Sequence, residues 1–371
     1  MKKKYCVIGA GILGASTAYH LAKAGEEVVI MDRKDKGQAT DAAAGIVCPW
    51  LSQRRNKAWY RLAKNGARYY PELMTDLQKD GEEHTGYARV GAISLHHDHE
   101  KLLAMKERAL KRREEAPEIG EVKILTPEET KKRFPPLLEG LGSVFVSGAA
   151  RVDGRALRDA LIRSAKRYGA TFIQGDAKLL HHDRQKTSVQ VNEHEIIPEK
   201  IIITAGAWAD ELLKPLGIQF NVYFQKAQIV HLHLPHTKTD TWPVVMPPSD
   251  QYILAFQDRI IAGATHENNV GFDHRMTASG IHEVLGKALH YAPGLADSTV
   301  LEVRVGFRPF TPGFLPIIGP IPQYNEILVA NGLGASGLTV GPYLGSELAK
   351  LALDREMEID LADYDVENAI E

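Results

Sequence analysis

The chain of 371 residues carries a formal net charge of −2, so no field of either sign recruits nucleic acid or an anionic membrane. Its length favours two domains over a single core, and no run of eighteen apolar residues predicts a membrane-spanning helix. The two cysteines, Cys6 and Cys48, show no CxxC spacing. This favours a reducing compartment such as the cytoplasm over a disulfide-bonded or thiolate-zinc protein, and it leaves peripheral contact with a membrane open.

The start of the chain has the pattern of a dinucleotide-binding βαβ unit. An apolar run at 5–8 breaks into the glycine turn 9–14, and a helix-patterned stretch follows and ends at Gly25. Residues 27–30 predict a second strand, with Asp32 just beyond its end. Strand, glycine turn, helix, strand and acid in this order predict that a pyrophosphate binds at the N-terminus of the first helix.

Each residue type in this unit has a physical role. Gly9 allows the tight turn, Gly11 lets the backbone approach a pyrophosphate, and Gly14 lets the helix and the strand pack closely. An acid at position 32 can accept hydrogen bonds from both hydroxyls of an adenosine ribose and repels a 2′-phosphate. FAD or NAD is therefore favoured over NADP, and Arg33 weakens this exclusion slightly.

The next predicted elements belong to the middle of the chain. The small residues of 40–46 suit a backbone lying flat against a bulky planar group, although a helix capped by Thr40 or Asp41 would also fit. Helical spacing over 57–80 predicts two helices divided by Pro71. The following stretch predicts a strand at 88–95, a helix at 99–115, a helix starting at a Thr126 capping box, an extended segment at 144–147 and a helix from Asp153 to Gly169.

The second half of the chain is mainly strand-like. Strands are predicted at 171–173, 178–181, 188–191, 201–206, 222–233, 251–256, 259–264, 299–305 and 327–330, with helices at 280–291 and 338–353. We therefore predict an α/β (α+β) chain of two interleaved domains. Segments 1–80, 146–219 and 306–371 would form a Rossmann-like dinucleotide-binding domain. Segments 81–145 and 220–305 would form a substrate domain on a mostly antiparallel or mixed sheet.

These pieces, in this order, resemble the D-amino-acid-oxidase-type FAD-dependent oxidoreductases, which include glycine oxidase, sarcosine oxidase and the small subunit of D-amino-acid dehydrogenase. The resemblance spans nearly the whole chain. It rests on six motifs, which are the glycine turn 9–14 with Asp32, the loop 40–46, residues 152–157, residues 203–209, residues 306–309 with 316–319, and residues 332–337 with 341–342.

The resemblance implies FAD as the cofactor, with the ADP half on the glycine turn, adenine near position 177 and the flavin along 43–46 and 334–339. No cysteine follows Pro309, so a covalent flavin link is not expected. The residues expected to contact FAD are Gly9, Ala10, Gly11, Ile12, Leu13, Gly14, Asp32, Arg33, Thr40, Ala43, Ala44, Gly45, Ile46, Ala177, Ala205, Gly206, Gly334, Ala335, Ser336, Gly337, Leu338 and Thr339.

The final glycine-rich loop supports the flavin assignment on independent physical grounds. Reduced flavin carries negative charge at N1 and C2=O. The loop before the helix at 338–353 offers backbone N–H donors and the positive end of a helix dipole to that charge. A plain glycine-rich turn before a terminal helix is the alternative.

Arg308 is the leading candidate for the substrate pocket. Oxidation of an amino acid requires its carboxylate to be fixed so that the Cα–H bond points at the flavin, and a guanidinium fork supplies charge and geometry together. By resemblance, the arginine of residues 306–309 has this role. The alternative is a structural ion pair with Glu302 or Asp273.

Other pocket residues are less strongly indicated. By resemblance, Tyr252 corresponds to a pocket tyrosine of glycine oxidase, although strand tyrosines often serve packing alone. Arg304 is a second arginine candidate, and Lys226 is either a family strand-start residue or a plain surface lysine. Ala335 stands where glycine oxidase carries a further arginine, which implies a different substrate preference.

Two histidine groups invite a metal interpretation, but no carboxylate-rich segment accompanies either. We predict solvated histidines and no metal site. The members of the two groups are His96, His97 and His99, and His231, His233 and His236.

The sequence thus predicts FAD-dependent oxidative deamination of a small amino acid, such as glycine, sarcosine, a D-amino acid or an imino acid. Hydride would pass from Cα to flavin N5, and the imine would hydrolyse to an oxo acid. No side chain stands out as a general base. Expected partners are the amino acid and oxygen or another electron acceptor, without nucleic acid, and a homo-oligomer stays open. The alternatives are an NAD-dependent dehydrogenase and a noncatalytic FAD-binding subunit of a larger complex.

Overall fold

The structure is a computed structural model that describes residues 2–181 and 187–371. Its helices are α1 (Ile12–Lys23), α2 (Lys57–Lys79), α3 (His99–Arg113), α4 (Pro127–Arg133), α5 (Gly154–Arg167), α6 (Ala209–Leu213), α7 (Ala278–Tyr291) and α8 (Gly337–Ala352). Its strands are β1 (Lys4–Ile8), β2 (Glu27–Asp32), β3 (Ile46–Val47), β4 (Ala92–His96), β5 (Val122–Leu125), β6 (Gly142–Val146), β7 (Ala150–Arg151), β8 (Thr171–Gln174), β9 (Ala177–Leu180), β10 (Ser188–Val191), β11 (His194–Ile196), β12 (Lys200–Ile203), β13 (Tyr223–His233), β14 (Val244–Met246), β15 (Tyr252–Ala255), β16 (Ile260–Gly263), β17 (Thr299–Phe310), β18 (Ile317–Ile321) and β19 (Tyr324–Asn331).

A six-stranded sheet in the order β18-β19-β12-β1-β2-β8 forms the dinucleotide-binding half. The strands from β19 to β8 run parallel, and β18 is antiparallel to β19. Alternate side chains of β1 reach opposite faces. Tyr5 and Val7 join the core formed with α1, α5 and α8, whereas Cys6 and Ile8 join the core beneath the β9-β10-β11 sheet. Both faces are therefore covered, which is the condition for a parallel sheet to be stable.

An eight-stranded sheet in the order β17-β13-β16-β15-β14-β4-β6-β5 forms the second half. It is mixed, as predicted, because β14 and β4 pair in parallel while the other neighbours pair antiparallel. The short strands β5, β14 and β18 were not predicted, and the predicted strand 88–95 is regular only from Ala92. Three to five residues give too short a stretch for the period of two to stand out.

Strand β17 connects the two halves and is longer than the predicted strand 299–305. It continues to Phe310 in register with β13, and the amide of Phe307 donates to the carbonyl of Gly37 at 2.9 Å. A Cβ at Gly306 would lie 2.8 Å from that of Ala42, so only glycine lets β17 pass so close to the loop after β2. The predicted domain boundary between 305 and 306 falls inside this strand, and the five-segment division stays a prediction.

Helix α2 corrects the prediction of two helices divided by Pro71. The helix runs without a break from Lys57 to Lys79 with Pro71 inside it. Leu62, Tyr70, Leu73 and Leu77 are fully buried on its inner face. Each contributes about 1.5–3 kcal/mol by burial, and together they outweigh the roughly 3 kcal/mol that an internal proline costs.

The predicted N-terminal caps of α4 and α5 are both present. Thr126 accepts a hydrogen bond from the amide of Glu129, and the Glu129 carboxylate accepts one from the amide of Thr126, so the capping box of α4 is complete. Asp153 caps α5 by accepting from the amide of Ala156 at 3.0 Å. Among residues 2–181 and 187–371, no helix is both long and apolar enough to cross a membrane.

Candidate active site

The glycine turn lies at the carboxyl end of β1, where a parallel sheet places its ligands. Gly9 has a φ of +96°, and a Cβ there would lie 2.6 Å from the carbonyl oxygen of Thr204. A Cβ at Gly14 would lie 1.9 Å from the carbonyl oxygen of Gly9. Both glycines are therefore required by close packing of the turn against β12 and of α1 against the turn.

Asp32 joins β2 to this turn. Its Oδ2 accepts from the amide of Ala10 at 2.6 Å, and its Oδ1 accepts from the amide of Lys34 at 2.5 Å and from Gln38 Nε2 at 2.8 Å. The side chain is buried and lines the cavity described below. These three hydrogen bonds hold the carboxylate in place at the cavity wall.

Thr40 does not cap a helix of its own, and neither does Asp41. Both lie inside the short 3₁₀ helix of residues 39–42, which starts without a side-chain cap. The Thr40 hydroxyl instead accepts from the amide of Ile12 at 3.0 Å, so the loop after β2 is tied to the start of α1. Asp41 forms an ion pair with Arg158 on α5.

Arg33 lines the same cavity and lies among three carboxylates. Its guanidinium lies 2.8 Å from Asp35, 3.2 Å from Glu211 and 3.4 Å from Asp176. Its charge is therefore already matched and is not available to a 2′-phosphate. This strengthens the exclusion of NADP that the sequence indicated.

Helix α8 directs its N-terminus at the cavity from the opposite side. Its N-cap residue, Ser336, makes no capping hydrogen bond and instead accepts from Trp59 Nε1 at 3.1 Å. A Cβ built on Gly337 meets no atom within 4 Å, so this position faces open space. The first turn of α8 therefore offers uncapped N–H groups and a positive dipole end to a ligand.

These elements line a cavity of about 740 Å³ that is open to solvent, a volume typical of cofactor sites. Predicted site residues that line it are Gly9, Gly11, Ile12, Leu13, Asp32, Arg33, Thr40, Ala43, Ala44, Gly45, Ile46, Ala177, Ala205, Gly206, Tyr252, Arg308, Gly334, Ala335, Ser336, Gly337, Leu338 and Thr339. Ala10 and Gly14 do not line it. The Ala10 amide donates to Asp32, and Gly14 packs against the Gly9 carbonyl.

Arg308 and Tyr252 are neighbours in the lining of this cavity. Arg308 lies on β17 opposite Gln225 of β13, and its Nη1 donates to Gln225 Oε1 at 3.2 Å. Tyr252 lies on β15 opposite Gly263, where a Cβ would be 2.7 Å from the phenol oxygen. Burial raises the pKa of Tyr252, and the neighbouring Arg308 offsets part of the rise by charge and hydrogen bonding. The phenol therefore stays protonated and can donate.

The ion-pair alternative for Arg308 does not hold among the described residues. Glu302 pairs with Arg304, and Asp273 pairs with Lys226 and Arg275, while Arg308 has no carboxylate within 4 Å. Arg304 also donates to the carbonyl of Asp41 and does not line the cavity. Arg308 is therefore the arginine whose charge is free for a ligand.

Lys226 is not a surface residue, which corrects that alternative. Its side chain is wholly buried, with Nζ 3.0 Å from Asp273 Oδ2 and 3.5 Å from Glu267 Oε2. It lies outside the cavity lining and fastens the loop that follows β16 to β13.

The prediction of solvated histidines is wrong for His231. Its side chain has no exposed surface, and neither ring nitrogen has a hydrogen-bond partner. Burial and the neighbouring Arg304 lower its pKa to about 4, so the ring is neutral at pH 7. Within the described part of the chain, no group of three or more His, Cys, Asp or Glu side chains is arranged to hold a metal ion.

The sequence reasoning missed several cavity residues. Trp59 and Cys48 line the cavity, and burial raises the pKa of the Cys48 thiol to about 12, which keeps it protonated. Asp250 and His266 lie near Arg308, with His266 Nδ1 3.5 Å from Asp250 Oδ2. No sequence signal pointed to these two, because the loops that carry them come together only through the pairing of β15 with β16.

Residues 4–351 match the family model described as DAO, FAD dependent oxidoreductase. An oxidoreductase of Bacillus subtilis, YurR, described as uncharacterized, is 61% identical over 99% of this chain and 100% of its own length. Glycine oxidase of Pseudomonas aeruginosa is 30% identical over 98% of each chain.

Among solved structures, iminodiacetate oxidase from Chelativorans sp. BNC1 superposes with a TM-score of 0.94. It is 46% identical to this chain, and the match covers 97% of this chain and 98% of that one. The loops that shape the cavity therefore belong to a backbone that the two proteins share almost throughout.

Proposed function

The chain belongs to the family of FAD-dependent oxidoreductases that its residues 4–351 match, and from that premise we propose that it oxidises a small amino acid at the Cα–N bond. Glycine and its N-substituted derivatives, with iminodiacetate foremost, are the candidate substrates. The NAD-dependent alternative lacks support, because the glycine turn that suggested it belongs to a family that uses FAD.

The residues around the cavity fit FAD. A Cβ at Gly11 would meet only the Thr40 hydroxyl, at 3.4 Å, and a Cβ at Gly337 would meet no atom within 4 Å. The space beside Gly11 is therefore open to the phosphates of FAD, and the space beside Gly337 is open to its flavin ring. Asp32 would hold the ribose, and the uncapped start of α8 would face the negatively charged edge of the flavin. When bound, FAD supplies the acceptor for the hydride that leaves Cα.

The single observation that carries the substrate proposal is the unpaired guanidinium of Arg308 beside Tyr252. Arg308 is partly buried, and a partly buried arginine without a carboxylate partner favours a ligand that supplies one. An amino-acid carboxylate fits this need, since the arginine offers a charged fork and the tyrosine a further donor. Arg308 and Tyr252 would thus fix the carboxylate, and the cavity walls would exclude water from the reacting carbon.

The comparisons favour a glycine unit as the part of the substrate that reacts. A glycine oxidase and an iminodiacetate oxidase are both similar to this chain over nearly its full length. In iminodiacetate the nitrogen bears two carboxymethyl groups. Loss of a hydride and a proton from one N–CH unit gives an imine, and addition of water then releases glyoxylate and glycine.

The test is the visible spectrum of the purified holoenzyme during anaerobic addition of single amino acids. The panel includes glycine, sarcosine, iminodiacetate, proline and several D- and L-amino acids. We expect one glycine derivative to bleach the flavin band, and readmitted air will then show whether oxygen restores it. A flavin that no member bleaches would overturn the proposal and favour a noncatalytic FAD-binding subunit.

A further inference from the structure

His266 is held in the cavity wall by the two residues on either side of it. The amide of Thr265 donates to the carbonyl of Gln228 at 3.2 Å, and Glu267 exchanges two backbone hydrogen bonds of 2.9 Å with Lys226. The side chains of Thr265 and Glu267 meet each other on one face, where the threonine hydroxyl donates at 2.7 Å. Because side chains alternate along extended backbone, His266 points to the other face, into the cavity with Arg308.

Asp250 lies beside the His266 ring, and both of its carboxylate oxygens also accept from Lys287 Nζ, at 3.1 and 3.2 Å. Since Tyr252 pairs with Gly263, the residue before β15 and the loop after β16 lie at the same end of the two strands. His266 Nδ1 faces Asp250 Oδ2 at 3.5 Å, which favours the tautomer that carries its proton on Nδ1. Nε2 has no hydrogen-bond partner among the described residues and presents its lone pair.

Partial burial and the charges around His266 lower the pKa of its ring, which favours the neutral form near pH 7. Burial lowers its pKa first and the charge of Arg308 second, while Asp250 acts in the opposite direction. Lys287 on α7 lowers the pKa further and Glu283 raises it. A neutral imidazole, oriented by a carboxylate through one nitrogen and open at the other, is the arrangement of a general base.

We propose that Nε2 of His266 accepts the ammonium proton of the substrate while Arg308 holds the substrate's carboxylate. The proposal rests on the proposed function and adds to it the group that generates the reactive amine. Amino acids arrive as ammonium zwitterions, and a hydride cannot leave Cα readily until the nitrogen lone pair is free to form the imine.

The step balances without a co-reactant. An N–H bond of the substrate breaks and its electron pair stays on nitrogen, while an N–H bond forms at Nε2. The imidazolium is stabilised by Asp250, which is half exposed, and it returns the proton to water. No electron leaves the substrate in this step. The oxidation that follows is the activity of the family.

The test compares wild type with His266→Gln in the dependence of kcat/KM on pH, using the substrate that the spectral panel identifies. The wild type can use the zwitterion, so its kcat/KM should level off near neutral pH. The variant needs the amine already deprotonated in solution. We expect the kcat/KM of the variant to be about 10–100-fold below that of wild type near neutral pH. It should rise about tenfold per pH unit and approach the wild-type value near the pKa of the free amine. Added imidazole should restore activity.

The controls separate this role from structural damage. FAD content and Tm of each variant are measured first, and His97→Gln, in the exposed turn between β4 and α3, should match wild type throughout. Asp250→Asn, which alters a positioning residue, should shift the pH profile in the direction of His266→Gln by a smaller factor.

Three results would overturn the proposal. The first is an unchanged pH profile of kcat/KM in His266→Gln. The second is a loss of kcat/KM that is equal at every pH and arises only from a higher KM for dicarboxylates. The third is a loss of activity that added imidazole does not reverse. The second would make His266 a carboxylate-binding residue. If wild type itself reduces no flavin with any amino acid, the proposed function has failed, and that outcome is recognisable before any variant is tested.

Discussion

The ammonium nitrogen of Lys226 lies 3.0 Å from a carboxylate oxygen of Asp273, inside a protein where the lysine has no exposed surface. A lysine is rarely buried so completely unless it is paired. Here the partners belong to the loop after β16, and the same strand position forms the backbone pair with Glu267 next to His266. One buried cation on β13 thus fixes the loop that supplies part of the cavity wall.

We expect Lys226→Met to destabilise the protein and to lower activity without lowering the affinity for FAD. Methionine fills similar space but leaves Asp273 and Glu267 without their cation, so Tm should fall by roughly 3–8 °C. Calorimetry and kcat/KM measure the two effects. Lys238→Met, which removes an exposed lysine, should change neither. Wild-type kinetics in Lys226→Met would show that the loop does not depend on this pair.

We expect Arg308→Ala to reduce kcat/KM by about 10²–10³-fold with nearly normal FAD content, because in the proposed function it removes the cation that would pair with the substrate carboxylate. Arg308→Lys should recover only part of the loss, since it restores charge without the fork. Arg304→Ala is the matched control on the same strand, because that guanidinium pairs with Glu302 outside the cavity. Equal losses in Arg304→Ala and Arg308→Ala would contradict a specific clamp.

We expect Gly337→Leu to reduce FAD binding while leaving the apoprotein as stable as wild type. The added side chain has open space and therefore does not disturb the fold, but it occupies the part of the cavity next to the start of α8. Titration of apoprotein with FAD, followed by flavin fluorescence, measures the affinity. Gly286→Leu on α7 is the control, because its Cβ also meets nothing yet lies outside the cavity. Unchanged FAD affinity in Gly337→Leu would place the flavin elsewhere.

We expect the free energy of unfolding to fall on acidification, in part through His231. Its folded-state pKa of about 4 lies below the ordinary value of 6.5, because burial disfavours the imidazolium. Between these values the unfolded chain binds a proton that the folded chain does not, so this contribution is complete above pH 6.5 and is lost as the pH falls toward 4. The complete loss is on the order of 3 kcal/mol.

The variant His231→Phe should show a smaller fall, because phenylalanine binds no proton in either state. Urea unfolding near neutral pH and near pH 5 measures the difference. His20, whose pKa burial lowers to about 3, adds a fall of the same sign in both proteins. In His97→Phe, which changes an exposed histidine, the free energy of unfolding should fall on acidification as much as in wild type. If the free energy of unfolding of His231→Phe fell as much as that of wild type, the acid sensitivity would belong to other groups.

Local patterns in the sequence predicted the elements whose physics is local. The spacing from Gly9 to Asp32 predicted a strand, a turn, a helix and a second strand, since each step depends on residues a few positions apart. The capping box at Thr126 and the N-cap at Asp153 were predicted for the same reason. The resemblance to known flavoenzymes extended this to the cofactor and the family, which the comparisons confirmed.

Long-range packing decided what the sequence left open. Pro71 stays inside α2 because the apolar face of the whole helix is buried, and Thr40 serves α1 rather than a helix of its own. Lys226 was ambiguous between surface and interior, because its partners lie more than forty residues further along the chain.

The candidate catalytic end of the cavity shows the same division most clearly. The sequence by itself determined that Arg308 lies two residues after a glycine in the motif 306–309 and that an arginine suits a carboxylate. Only the pairing of β13, β15, β16 and β17 decided that Arg308, Tyr252, Asp250 and His266 face one space. Strand register is set by contacts between segments far apart in the chain, and no local pattern encodes which side chains it brings together.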